Sequence, residues 1–202
     1  MLASKLIQRK QYDKAQEILD MLPDWNALDK RGMQADVWSK QGKTAKAAEL
    51  LERKLTLSVQ DHQTTLVKLI QLAVQEGDEK SALSLADCAQ KECVAFHLGE
   101  YWSNIAPLEA AVARRDVLSS MKALTILLDA AARPWNSRFS PLFHHIPCKE
   151  SSTEFSFHLL TPLLSNLEQA PEYEFLRAVP EFQEMIKSYS AKCTDDKKEP
   201  NR

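Results

Sequence analysis

The feature that most constrains this chain is a short helix-ending turn that recurs through its first two thirds. Stretches 41–47 and 76–82 carry Gly at their second position and Ala at their seventh. Stretches 9–15 and 114–120 repeat the pattern with a basic residue in the Gly position, and Ser120 replaces Ala in the last copy. The small residue falls at positions 15, 47, 82 and 120, so the spacing is 32, 35 and 38 residues. Gly adopts the left-handed conformation that ends a helix, and a small side chain lets two antiparallel helices approach closely. The spacing therefore predicts stacked helix pairs.

The periodicity of the apolar residues predicts an all-α fold. Segment 64–75 has apolar residues at offsets of 0, 3, 4 and 7. Segment 47–55 repeats this spacing on another helix, with Lys54 at offset 7 and Leu55 after it. No proline occurs from position 24 to position 106. There is neither a sustained alternation of β-branched residues nor an Asn-Gly or Asp-Gly hairpin. Antiparallel helix-pair repeats are therefore expected over residues 1–132.

The composition changes after Ala132. Seven of the nine prolines and six of the seven phenylalanines lie beyond this residue. We predict that residues 133–192 form a Pro- and Phe-rich loop followed by C-terminal capping helices, because segment 133–150 has three prolines and no helical period. Residues 193–202 are predicted to be a disordered tail.

Two helices are expected within the C-terminal region. A capping box at 151–154 predicts the start of the first helix, which Pro162 is expected to bend. Pro180 suits the first turn of the last helix, which is predicted to run to about Tyr189.

The composition also excludes several classes of function. The 26 Lys and Arg residues against 28 Asp and Glu residues leave no positive excess for binding nucleic acid or an acidic membrane. The four glycines are too far apart for the common phosphate-binding loops, and no cofactor is expected. Four cysteines without CxxC spacing are typical of free thiols in a reducing compartment. Charges interrupt every apolar run well short of about 18 residues, so a cytoplasmic protein without a membrane segment is predicted.

The densest set of reactive side chains is His144, His145 and Cys148. Adjacent histidines in an extended loop point to opposite sides, so only one could join the cysteine on a metal ion, and a tetrahedral site would need two distant ligands. A Cys/His nucleophile pair needs an oxyanion hole, and no Gly lies nearby to free backbone amides. We therefore expect neither a metal site nor a catalytic site, and keep a Cys/His enzyme using segment 133–150 as a remote alternative.

For several other polar and sulfur-containing side chains, the sequence predicts a structural or solvent-exposed position and no functional role. Cys88 and Cys93 lie about 140° apart on a predicted helix, and both are expected to be buried as small apolar residues. Glu49 and Glu52 are expected on a solvated face. His97 stands alone and is interpreted as a surface or core histidine.

The turn and its spacing resemble the tetratricopeptide repeat, a helix-turn-helix unit of about 34 residues that stacks into a right-handed α-solenoid. The resemblance covers about residues 1–132 and is carried by Tyr12, Ala15, Trp38, Gly42, Ala47, Leu66, Leu69, Ile70, Gly77 and Ala82. Pro107 departs from the pattern and predicts a kink in the first helix of the fourth copy. The resemblance implies that the first helix of each pair lines a concave groove for a peptide or protein segment. Carried over from the family, the groove residues are Asp36, Ser39, Lys40, Thr64, Val67, Lys68, Gln71, Gln75, Trp102, Ile105 and Glu109.

Part of this expected groove has an alternative interpretation. Trp102 would provide the apolar anchor for a bound peptide, with mixed polar side chains around it. Alternatively, Trp102 and Ile105 are core residues that pack against Pro107 and the C-terminal region.

Short strings at 98–101, 106–108, 113–116, 134–135 and 140–146 are together similar to the C-terminal half of bacterial regulators of the XRE class. In that group a helix-turn-helix DNA-binding domain precedes a tetratricopeptide-like region. The resemblance implies a non-catalytic sensory and dimerisation domain that forms a homodimer and reaches DNA only through a separate N-terminal domain not present in this chain. The first alternative is a protein-protein interaction scaffold without a sensing role.

Overall fold

The computed structural model describes residues 5, 6, 9, 11, 14, 30–133, 140–147 and 153–195. Within these residues the chain forms helices and turns and no strand, which confirms the predicted all-α class. From residue 30 onward the α-helices are α1 (Lys30–Lys40), α2 (Thr44–Gln75), α3 (Glu79–Ala95), α4 (Gly99–Ser103), α5 (Ile105–Ala113), α6 (Val117–Ala131), α7 (Thr153–Gln169), α8 (Glu174–Arg177) and α9 (Pro180–Asp195), with a 3-10 helix at Pro171–Tyr173. Tyr12 and Ala15, which carry the first copy of the repeat, lie outside the described residues.

The predicted turns at the two glycines are present. Gly42 and Gly77 both have a φ of 76°, in the left-handed region. At each turn the next N–H donates to the carbonyl five residues back, over 2.9 Å from Lys43 and 2.8 Å from Asp78. This bond, together with the left-handed residue before it, is the Schellman motif that ends a helix.

Two further turns of the same geometry are built on residues other than glycine. Arg115 occupies the predicted fourth position with a φ of 53°, and His97 has a φ of 54°. The N–H of the next residue again donates to the carbonyl five residues back, over 2.9 Å from Asp116 and 3.0 Å from Leu98. The turn at Arg115 is confirmed, whereas the turn at His97 escapes the sequence pattern because no glycine occupies its left-handed position.

A single helix, α2, replaces the two helices predicted at 47–55 and 64–75. It runs for 32 residues without interruption. The prediction of two helices is wrong because no Gly or Pro occurs in this stretch to end the first one. Four of the five Ser and Thr hydroxyls of α2 bond to carbonyls four residues back, as Thr64 does to Gln60 over 2.9 Å, and the helix continues through them. The arrangement of the helices as a right-handed solenoid stays a prediction.

Prolines shape the later helices. The predicted kink near Pro107 is a break: Asn104 separates α4 from α5, and Pro107 lies in the first turn of α5, where its missing N–H removes no helical bond. Pro162 lies inside α7. The last helix begins at Pro180 as predicted, but it continues to Asp195, past its predicted end and into the predicted tail.

Three clusters of buried side chains hold these helices together. The largest joins α5 and α6 to the C-terminal helices, with Leu124, Leu160 and Leu176 completely buried in it. The second is formed around Ile70 by alanines of α2, α3 and α5. The third packs Phe143 of loop 140–147 against α2 and α3. The C-terminal helices therefore lie directly on α5 and α6, and a cavity forms where they meet.

Candidate binding cavity

A cavity of about 380 Å³ lies where α7 and the 3-10 helix meet α4, α5 and α6. Its lining is mainly apolar and includes two carboxylates, two phenols and one amide. The lining residues are Tyr101, Ile105, Leu108, Glu109, Leu127, Leu159, Pro162, Leu163, Asn166, Glu172 and Tyr173.

Helical periodicity explains how these side chains come to share walls. The lining positions of α7 are 159, 162, 163 and 166, and those of α5 are 105, 108 and 109. Residues at offsets of 0, 3, 4 and 7 lie on one face of a helix, so each helix presents a continuous stripe to the cavity. Leu108 and Leu127 are also members of the largest buried cluster, and Ile105, Leu159 and Leu163 pack against it. The core therefore fixes the walls of the cavity.

Glu109 is the half-buried carboxylate of this cavity. Gln71 of α2 donates to Glu109 Oε2 over 3.1 Å. Burial raises the pKa of Glu109, the hydrogen bond from Gln71 opposes this, and the negative charge of Glu172 raises the pKa further. Glu109 Oε1 has no hydrogen-bond partner among the described residues, so this oxygen is available to a ligand.

Tyr173 is the most buried polar side chain of the lining. Only 7% of it is exposed, and its hydroxyl makes no hydrogen bond to any described residue. Its pKa is raised, first by burial and then by the negative charges of Glu109 and Glu172. Burial also raises the pKa of Tyr101 on the neighbouring wall. Both phenols are therefore neutral at pH 7 and can donate or accept a hydrogen bond.

The charge of the cavity has one sign. Among the described residues that line it, Glu109 and Glu172 are acidic and none is basic. The side chains of Glu172 and Asn166 make no hydrogen bond within the described part of the chain. An apolar wall with several acceptors and negative charge is chemically suited to a ligand that donates N–H bonds.

The cavity brings together three of the predicted groove residues. Ile105 and Glu109 line it, and Gln71 bonds to Glu109 at its edge. Trp102 lies elsewhere, because it packs against the buried cluster around Phe143. Trp102 and Ile105 are both half-buried, but each of them packs against a different cluster.

The other predicted groove residues lie on α1 and α2. Val67 is half-buried, and the rest are exposed. The exposed residues are Asp36, Ser39 and Lys40 on α1 and Thr64, Lys68 and Gln75 on α2. Their role in binding stays a prediction.

Sequence reasoning missed the C-terminal wall of the cavity. The available signal was the stripe at 159–166, in which three apolar residues are followed by Asn166 on the same face. Glu172 and Tyr173 had no such signal, because they lie in a short 3-10 helix without a helical period.

Loop 140–147 forms a second cluster of polar contacts, and Glu52 is its centre. The backbone N–H groups of His145 and Ile146 donate to Glu52 Oε2 over 2.8 and 3.2 Å, and His145 Nδ1 lies 2.6 Å from Oε1. Only 12% of the Glu52 side chain is exposed. The prediction that Glu52 is solvated is therefore wrong: this carboxylate, 93 positions away in sequence, fastens the loop to α2.

The loop is also held at its start. His97 Nδ1 lies 3.0 Å from Ser140 Oγ, and Leu142 N donates to the same oxygen over 3.2 Å. His97 therefore has two structural roles, since its backbone ends α3 and its ring contacts the loop. Cys148 lies outside the described residues, so no geometry relates it to His144 and His145.

The two cysteines of α3 have different environments. Cys93 is completely buried as predicted, whereas Cys88 is exposed and its predicted burial is wrong. The helix turns about 140° between the two positions, which places Cys88 on the outer side. Burial, with a smaller effect of Glu92, raises the pKa of the Cys93 thiol to about 11. The described residues contain no group of three or more His, Cys, Asp or Glu side chains placed to share a metal ion.

Comparison with protein-family models, with curated proteins and with solved structures finds no match to this chain. Among the helices that the structure describes, none combines the length and apolar character needed to cross a bilayer.

Proposed function

We propose that this chain is a non-catalytic, peptide- or protein-binding helical-repeat domain, and that it is the sensory and dimerisation part of a bacterial transcriptional regulator. The observation that supports binding is the cavity, in which several polar atoms that have no hydrogen-bond partner among the described residues are set into an apolar wall. Ligand sites typically combine an apolar lining with a few such polar groups that fix orientation. The regulatory part of the proposal rests on the resemblance described above, with DNA bound by a separate N-terminal domain outside this chain.

The position of the cavity suggests how binding would be transmitted. A ligand in the cavity would contact α5, which belongs to the repeat region, and α7, which belongs to the C-terminal region. A ligand that fits one relative placement of the two regions better than another shifts the equilibrium toward that placement. In a dimer this shift would move the attached DNA-binding domains. A ligand with equal affinity for both placements would change nothing.

The test uses a random decapeptide library displayed on phage and the immobilised chain. Asn166→Trp places a large side chain in the cavity from an exposed position, and Ser165→Trp, also exposed, is the matched control on the neighbouring face of α7. The proposal expects peptides that bind the unmodified chain and Ser165→Trp but not Asn166→Trp. Failure to select any peptide, or equal binding to both variants, would show that the cavity is not a peptide site.

A scaffold without a sensing role is the second candidate, and one observation favours it. Leu69, Leu72 and Leu83 are large apolar side chains on α2 and α3 that are between 43% and 52% exposed. Leu72 lies on α2 before the turn at Gly77, and Leu83 lies on α3 after it. If a captured partner is lost on Leu72→Glu but retained on Asn166→Trp, the scaffold function is supported and the cavity is not required.

A further inference from the structure

We propose that the group bound in the cavity is a monocation that donates N–H bonds, namely the guanidinium or ammonium group of a basic peptide side chain. Its charged end would lie between Glu109 and Glu172, and its alkyl stem would lie against Ile105 and Leu163. This inference rests on the proposed function and adds the chemical class of the ligand.

The charge of the cavity lining favours a cation. Two carboxylates share a largely apolar cavity, and no basic residue is present among the described residues that line it. Burial and the charge of Glu172 both raise the pKa of Glu109, which means that its ionised form is destabilised in the free protein. A bound cation reverses this effect, whereas an anionic ligand would increase it. The ligand is therefore expected to carry a positive charge.

Several acceptors of the cavity have no hydrogen-bond partner among the described residues. Gln71 occupies only one oxygen of Glu109, over 3.1 Å. The hydroxyl of Tyr173, a residue that is only 7% exposed, has no partner among the described residues, and neither has the amide of Asn166. A guanidinium carries five N–H donors and an ammonium three, so either group can bond to several of these acceptors at once. These donors match the acceptors that the cavity leaves open.

The apolar wall of the cavity matches the stem of a basic side chain. Lys and Arg carry three or four methylene groups below the charge and cover apolar surface with them. The stripe of Leu159 and Leu163 faces such a stem from α7, and Ile105 does so from α5. The volume of about 380 Å³ fits one such side chain with part of its neighbour. A small inorganic cation would leave this apolar surface uncovered.

The experiment begins with the peptides selected from the decapeptide library, which are expected to be enriched in Arg or Lys. A synthetic peptide is then compared with its citrulline (for Arg) or Gln (for Lys) counterpart by isothermal titration calorimetry. Replacement of the cation by this neutral group is expected to weaken binding about tenfold or more, since charge-assisted hydrogen bonds are lost. Propylguanidine alone, a monocation with the stem of an Arg side chain, tests whether a free small cation explains the binding. Propylguanidine that binds as tightly as the peptide would refute the peptide as the source.

Two variants identify the protein groups. Glu109→Gln keeps the shape and can still accept from Gln71, so it is expected to fold with equal or higher thermal stability while binding falls about tenfold. Glu174→Gln is the matched control, because Glu174 is exposed and does not line the cavity. Tyr173→Phe removes only the hydroxyl and is expected to weaken binding less than Glu109→Gln does.

The outcomes separate this inference from the proposed function. If selected peptides bind and Asn166→Trp abolishes their binding, the proposed function holds. A second result is that the peptide with citrulline or Gln and the protein variant Glu109→Gln both bind with a dissociation constant within about twofold of the original. This result would refute the cationic ligand and leave the binding site supported. If no peptide binds, or if Asn166→Trp has no effect, both proposals fall.

Discussion

Replacement of Glu52 by Gln is the sharpest test of how loop 140–147 is held. The carboxylate accepts from two backbone N–H groups and lies 2.6 Å from a histidine nitrogen, and its side chain is only 12% exposed. Gln keeps one acceptor oxygen for the backbone and loses the charge and the second acceptor. A hydrogen bond to a charged group contributes about 1.5–3 kcal/mol, so we expect the opening free energy of the loop to fall by about 2 kcal/mol.

Amide hydrogen exchange measures this local opening directly. A loss of about 2 kcal/mol corresponds to exchange that is roughly 30-fold faster at His145 and Ile146, whose N–H groups donate to Glu52. Glu49→Gln is the matched control on the same helix. Glu49 pairs with Arg53 over 2.8 Å, and the two side chains are 34% and 50% exposed. An exposed pair of this kind contributes about 0.3–0.5 kcal/mol, so exchange in the loop should hardly change.

Two results would refute the argument for Glu52. Amides of His145 and Ile146 that exchange at unprotected rates in the unmodified chain would show that the contacts are not maintained. Equal effects of Glu52→Gln and Glu49→Gln would show that the loop is held by other groups, foremost the burial of Phe143.

Three further predictions concern the helices. Gly77→Ala should destabilise the chain by about 1–2 kcal/mol in urea unfolding, because Gly77 has a φ of 76°. Gly32→Ala lies inside α1, where an added methyl group would meet only the end of the Lys54 side chain at 4.0 Å, and it should stabilise the chain by up to about 1 kcal/mol. Changes of the same sign in the two variants would contradict the left-handed turn. Arg115→Gly should raise the free energy of unfolding by up to about 1 kcal/mol, since Arg115 has a φ of 53°, and no gain would mean that its side chain offsets the strain. The stabilisation by the neutral Cys93 thiol should be complete below pH 9.0 and decline as the pH rises to about 11, the raised pKa of this thiol. The free energy of unfolding should therefore fall less steeply over this range in Cys93→Ala, and identical slopes would contradict the raised pKa.

Much of the fold could be predicted because its turns are local. Gly42 and Gly77 mark their turns by the backbone conformation that Gly alone adopts easily, and Arg115 could be placed by its spacing from them. The turn at His97 could not be predicted, because nothing about a histidine signals a positive φ. The uninterrupted α2 follows from the absence of Gly and Pro between its ends. The repeat pattern wrongly predicts that a helix ends within this stretch.

The candidate site could be predicted only in part, because its halves are far apart in sequence. Ile105 and Glu109 follow from the periodicity of one helix. Their partners on α7 and the 3-10 helix depend on how the C-terminal region docks, which no local pattern specifies. The same holds for Glu52, since a glutamate on an amphipathic helix cannot be distinguished from its solvated neighbours until the loop that covers it is placed.

The uninterrupted α2 has a mechanical consequence. At 1.5 Å per residue, its 32 residues form a continuous helix about 48 Å long. Glu52 bonds to the loop near one end, and Gln71 bonds to the wall of the cavity near the other, about 28 Å away along the axis. A helix without a hinge transmits a tilt along its whole length, so a rotation of about 5° at one end displaces the other by about 4 Å. A change in the amide hydrogen-exchange rates of loop 140–147 would then report whether a ligand occupies the cavity.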